Sequence, residues 1–116
     1  MFDDAAIASL EYAVDHLHVP LIMVLGHTSC GAVTAALEGA APPGALGKLL
    51  NEIRTKCGGA NSPATESVDA VVRRYTMRIA DLLRSIGPVL KAAVEKNDCA
   101  VVPACYSLTE GVVELL

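Results

Sequence analysis

Tryptophan is absent, and one phenylalanine and three tyrosines bring the aromatic share to only 3%. A chain so poor in rings must build its interior from Ala, Val, Leu and Ile, which fit the close layers of helix packed on sheet. Charge is also sparse, at 19% of residues, and nine Lys and Arg against thirteen Asp and Glu leave a net charge of −4. The cations are scattered, so the basic patch that a nucleic-acid partner requires is missing. Long apolar runs are missing too. The longest, Val19 to Gly26, is far too short to span a bilayer. No basic segment followed by an apolar one opens the chain. These absences give the expectation of no nucleic acid, no membrane and a cytoplasmic location. The four cysteines, Cys30, Cys57, Cys99 and Cys105, do not sit in a small loop-rich secreted scaffold. Reduced thiols or metal ligands are the expectation.

Apolar residues, by contrast, make up 53% of 116 positions, enough for a core and one domain spanning 1–116. Asp3 and Asp4 can cap a first helix, with Ile7, Leu10, Val14 and Leu17 recurring along an inward face. After Pro20, "LIMVL" is continuously apolar and reads as a parallel strand buried on both sides. "TSCGAVTAALEG" starts a second helix, with Thr28 or Ser29 as N-cap and Gly39 as stop. A third helix covers Ala45 to Lys56, and "CGGANSP" breaks it, leaving Cys57 in a position to be exposed. A longer helix runs from Val68 to Ile86 and stops at Gly87-Pro88; Arg73, Arg74, Arg78 and Arg84 read as its solvated outer face. "VLKAAVEKND" supplies a short last helix. "CAVVPACYSL" and "VVELL" then read as two strands joined at "TEG" in a hairpin. The expected fold is α/β, a mostly parallel sheet flanked by helices with a C-terminal hairpin. Three strands against five helices leave an apolar sheet edge without cover.

The chemistry gathers at "GHTSCG". His27 lies one residue past its strand, where ligands collect in open α/β sheets, and Cys30 falls in the first turn of the next helix. The unpaired N–H groups of a helix start favour the thiolate, the form that binds metal or attacks electrophiles. Imidazole and thiolate are common zinc ligands, but a catalytic zinc needs three protein ligands and a structural one four. The alternatives are a capping histidine beside a small buried cysteine, or a cysteine nucleophile with His27 as base. Cys99 and Cys105 read as small buried apolar residues. His16 and His18 read as partners of a helix C-terminus.

The run from Asp3 to Val33 closely resembles a segment of the β-class carbonic anhydrases. It carries their Ser-Leu-Glu-Tyr-Ala-Val helix at Ser9 to Val14, an apolar strand, and Gly-His-x-x-Cys-Gly at Gly26 to Gly31. "YSLTEGVVELL" resembles the closing hairpin of that family, and the helices from Val68 to Glu95 resemble those before it. The resemblance implies that His27 and Cys30 are two of three ligands of a zinc whose bound water hydrates carbon dioxide to bicarbonate. The family's third ligand belongs to a Cys-x-Asp-x-Arg motif on an earlier strand, and no such motif occurs in this chain.

The chain therefore resembles the part of the family that follows that motif, with its N-terminal strands missing and no catalytic residue of its own beyond the metal pair. Two functional readings follow. One is a zinc lyase portion completed by an upstream segment or a partner subunit; Cys57 or Cys105 moving to complete the site is a lesser variant. The other is an inactive truncated homologue serving as a binding or assembly module. Both imply a homo-oligomer, or a partner chain, covering the open edge. Two departures from the family are Pro103, inside a strand where it signals distortion or a local edge, and Tyr75 in place of a common Asn.

Overall fold

The computed structural model describes residues 3–57 and 66–116. The first helix, α1 (Asp4–Asp15), begins where Asp3 accepts a hydrogen bond from the Ala6 N–H at 2.8 Å. Its inward face is shorter than expected: Val14 is buried and Leu10 packs on the core, but the helix ends before Leu17, which is 61% exposed. Strand β1 (Leu21–His27) follows, then α2 (Gly31–Leu37), α3 (Gly44–Lys56), α4 (Val68–Ser85) and α5 (Val89–Glu95). The chain closes with β2 (Ala100–Tyr106) and β3 (Val113–Leu115). Gly39 stops α2 as anticipated, with a left-handed φ of +81° and its N–H donating to Ala36 O.

The sheet order is β1-β2-β3, with β1 parallel to β2 and β2 antiparallel to β3. This is the expected α/β arrangement with a closing hairpin, although the connection between β2 and β3 runs from Ser107 to Val112 rather than through "TEG" alone. Ile22, Val24 and Gly26 of β1 stand in register with Val101, Pro103 and Cys105 of β2. Their shared face carries α4. Around it one cluster joins Val14, Ile22, Ala80, Leu83, Leu90 and Val101. A second joins Val33, Leu50, Ile53, Val71, Val72 and Cys105. Gly26 permits the close approach, because a Cβ there would lie 2.3 Å from Thr76 Oγ1 and 2.9 Å from Val72 Cγ1.

The opposite face corrects the reading of "LIMVL" as buried on both sides. Leu21, Met23 and Leu25 are 47%, 42% and 53% exposed, and alternate with buried or half-buried neighbours. Val113 and Leu115 of β3 share this bare face. The physical reason is that the described helices cover one side of the sheet only. Pro103 behaves as a local edge would require. Its carbonyl accepts from Leu116 N–H at 3.0 Å, so its nitrogen also points toward β3, one position beyond the last residue that β3 pairs.

Two further expectations change. Cys57 is 4% exposed, not open, and packs in the second cluster. Of the α4 arginines, Arg78 is exposed as expected, but the other three are not simply solvated. Arg73 makes a two-pronged pair with Glu114 of β3, both bonds at 2.8 Å. Arg74 pairs with Glu66 and donates to Cys57 O, and Arg84 donates from Nε to Val101 O at 3.1 Å. They pin α4 to the sheet and to the end of α3.

Candidate functional site

β1 delivers His27 at its last position, level with Tyr106 of β2, and the chain then turns sharply into α2. Cys30 is the N-cap of that helix, where Thr28 or Ser29 had been expected, and makes no side-chain capping bond. The reason lies in the turn: Ser29 has a left-handed φ of +55°, which delays the helix by a residue. Cys30 is half-buried and His27 exposed, and both line one cleft of about 300 Å³. Its other walls are mainly apolar, from Val24, Val33, Leu49, Ile53, Val72 and Ile79.

Hydrogen bonds tie each part of the junction. The His27 ring lies with Nδ1 2.9 Å from Thr28 O; a carbonyl only accepts, so Nδ1 carries the proton, and in the neutral ring Nε2 has the lone pair. Thr28 N–H donates to Tyr106 O, and Thr28 Oγ1 accepts from Leu108 N–H, both at 3.0 Å. Ser29 N–H donates to Asp69 Oδ1 at 2.9 Å. Cys30 O accepts from both the N–H and the hydroxyl of Thr34.

This arrangement fits a metal in donor chemistry and in tautomer: one imidazole nitrogen with its lone pair available, its ring oriented by the other nitrogen, and one sulfur in the same cleft. It fits as two donors. Among the described residues no group of three His, Cys, Asp or Glu converges on one point. Cys57, Cys99 and Cys105 are buried, at 4%, 4% and 5% exposure. Burial pushes the thiols of Cys57 and Cys99 up, away from the ligand form. His16 caps α1 and stacks on Tyr12 with ring centroids 5.0 Å apart. His18 lines a different, larger cleft of about 580 Å³ between α1 and α5.

Tyr75 and Thr76 also wall the His27–Cys30 cleft. The Tyr75 hydroxyl is pushed up to about 12, by burial first and then by the negative charge of Glu52 and Cys57, so it stays protonated at neutral pH. Thr76 donates its hydroxyl to Val72 O at 2.8 Å. Periodicity along α4 places both on the sheet side of the helix. Asp69 carried no comparable signal, since its partner Ser29 lies 40 residues earlier.

The family model for carbonic anhydrase matches residues 1–113. The chain belongs to the β-class carbonic anhydrase family. It is 31% identical over 115 residues to carbonic anhydrase 2 of Mycobacterium tuberculosis, covering 96% of this chain and 56% of that protein. Its fold superposes on the β-carbonic anhydrase CcaA with a TM-score of 0.80 at 20% identity, covering 98% of this chain and 59% of the other. A tetrameric β-carbonic anhydrase of Sordaria macrospora gives a TM-score of 0.78 at 24% identity, with 98% and 60% covered. The chain thus spans a little under two thirds of the length of these relatives. Among the described residues, no helix is long and apolar enough to cross a membrane.

Proposed function

We propose that His27 and Cys30 are two protein ligands of a zinc site whose reaction is the reversible hydration of carbon dioxide to bicarbonate. The supporting observation is the junction itself: two soft donors on one cleft, with the imidazole held by Thr28 O so that Nε2 is available. Bound zinc supplies a Lewis acid that makes hydroxide available near neutral pH. The chain's own residues do the rest. Thr28 orients the imidazole, and Val24, Val33, Ile53, Val72 and Ile79 provide an apolar wall suited to a small uncharged gas. Tyr75 is a neutral hydroxyl in the cleft wall through the working pH range.

Two donors hold a metal weakly, so the third comes from a segment outside the described residues or from another chain. The test is zinc content of the reduced chain, alone and mixed with a full-length relative. We expect weak zinc uptake alone, stoichiometric uptake in the mixture, and loss of both in His27→Ala. Absence of zinc from every preparation would remove the ligand role.

A second reading rests on a different observation, the bare apolar face of β1 and β3. In it the chain is an assembly module without activity of its own, which associates through that face and the unpaired edge of β1. The reading predicts no carbon dioxide hydration by the isolated chain even with excess zinc. It also predicts a dimer or larger species in solution scattering. A compact monomer at high concentration would count against it.

A further inference from the structure

We propose that Asp69 is a positioning residue for the metal pair, holding the turn between His27 and Cys30 in the shape that brings both donors to one cleft. This inference rests on the zinc reading above and concerns a residue outside the Gly-His-x-x-Cys-Gly stretch. The turn contains one residue in an unfavourable backbone state. Ser29 sits at φ +55°, a region that a serine does not hold by preference. Its N–H donates to Asp69 Oδ1 at 2.9 Å, a bond between the β1–α2 junction and the first turn of α4. A carboxylate acceptor makes this one of the stronger classes of hydrogen bond.

The neighbouring bonds leave Ser29 as the point where the turn can relax. Thr28 is fastened on the other side, to Tyr106 O and Leu108 N–H of the β2–β3 segment. Cys30 is fastened forward into α2 through Thr34. Between them, rotation at Ser29 decides whether Cys30 Sγ stays on the cleft shared with His27. Release of the Asp69 bond lets Ser29 return to an ordinary conformation and swings the sulfur relative to the imidazole.

Asp69 also lies in the first turn of α4, where any negative charge favours the helix, so the experiment must separate the two roles. Cobalt(II) is titrated into the reduced chain and its thiolate charge-transfer absorbance followed, for wild type, Asp69→Ala, Asp69→Asn and the His27→Ala control. Hydrogen exchange of the Ser29 amide is followed alongside. We expect Asp69→Ala to weaken cobalt binding about tenfold and to abolish protection of the Ser29 amide, in line with outer-shell losses at other metal sites. Asp69→Asn keeps an acceptor without the charge and is expected to stay within about twofold of wild type. Equal affinities for wild type and Asp69→Ala would overturn the inference, as would Asn behaving like Ala. A Ser29 amide unprotected in wild type would overturn it even if Asp69→Ala failed to fold. Cobalt binding in wild type with no effect of Asp69 sinks this inference alone, whereas no binding in any variant, with or without a full-length relative added, sinks the zinc reading with it.

Discussion

The two faces of the sheet are made from the same short strand, yet they have opposite fates. Ile22 is 8% exposed beneath α4, while Met23, its neighbour in sequence, is 42% exposed on the other side. Strand geometry sends consecutive side chains to opposite faces, so an unbroken apolar run announces two coverings, not one. The described helices supply the first. The contrast separates what holds this chain folded from what it offers to another chain.

The largest effect that would break this contrast is a pair of truncations. Ile22→Ala should cost about 3 kcal/mol, since it empties a packed site. Met23→Ala should change stability by less than about 0.5 kcal/mol. Urea denaturation at low concentration reads both, and similar costs would mean that the bare face is covered within the monomer. Met23→Lys sharpens the point: it should leave urea stability near wild type but reduce the larger species expected in scattering.

Next in size is the fit of α4 against β1. Gly26→Ala forces a methyl against Thr76 and Val72 and should cost about 2 kcal/mol. Adding Thr76→Ala to that variant should recover part of the loss, because the nearest obstruction is then removed. Thermal midpoints of the two variants check this; no recovery would mean that the helix, not the side chain, had moved.

The smallest effect concerns the far edge, where β3 is held to α4 by Arg73 and Glu114. The guanidinium bond and charge of Arg73 hold the Glu114 carboxyl below its ordinary range. A lowered pKa in the folded state gives stability that is present above the unfolded value, about 4.3, and lost as pH falls through the folded one. Protection of amides in β3, taken relative to their intrinsic exchange rates, should therefore fall below about pH 4, with a smaller pH response in Glu114→Gln. Both groups are exposed, so added salt should weaken the effect. An unchanged pH response in the variant would detach the pair from β3 docking.

Much of the fold was legible because it is local. The apolar period from Val68 to Leu83 writes α4, Asp3 writes the start of α1, and Gly39 writes the end of α2. His27 and Cys30 were legible as a pair because their spacing across a strand-to-helix turn is itself a local pattern. Two misreadings were local, the N-cap of α2 and the end of α1 before Leu17; the others were relations between distant segments. Cys57 looked open beside two glycines but is covered by α4, and Arg73, Arg74 and Arg84 looked solvated until Glu114, Glu66 and Val101 met them.

The order of residues alone settled which segments become helix or strand, and which two side chains carry soft donors, since backbone preference and side-chain chemistry act over a few residues. Tertiary structure decided which face of β1 is buried, that Ser29 rather than a helical cap shapes the turn, and that Asp69 stands beside it. Those outcomes depend on packing and hydrogen bonds between elements far apart in the chain, and no short stretch of sequence contains both partners.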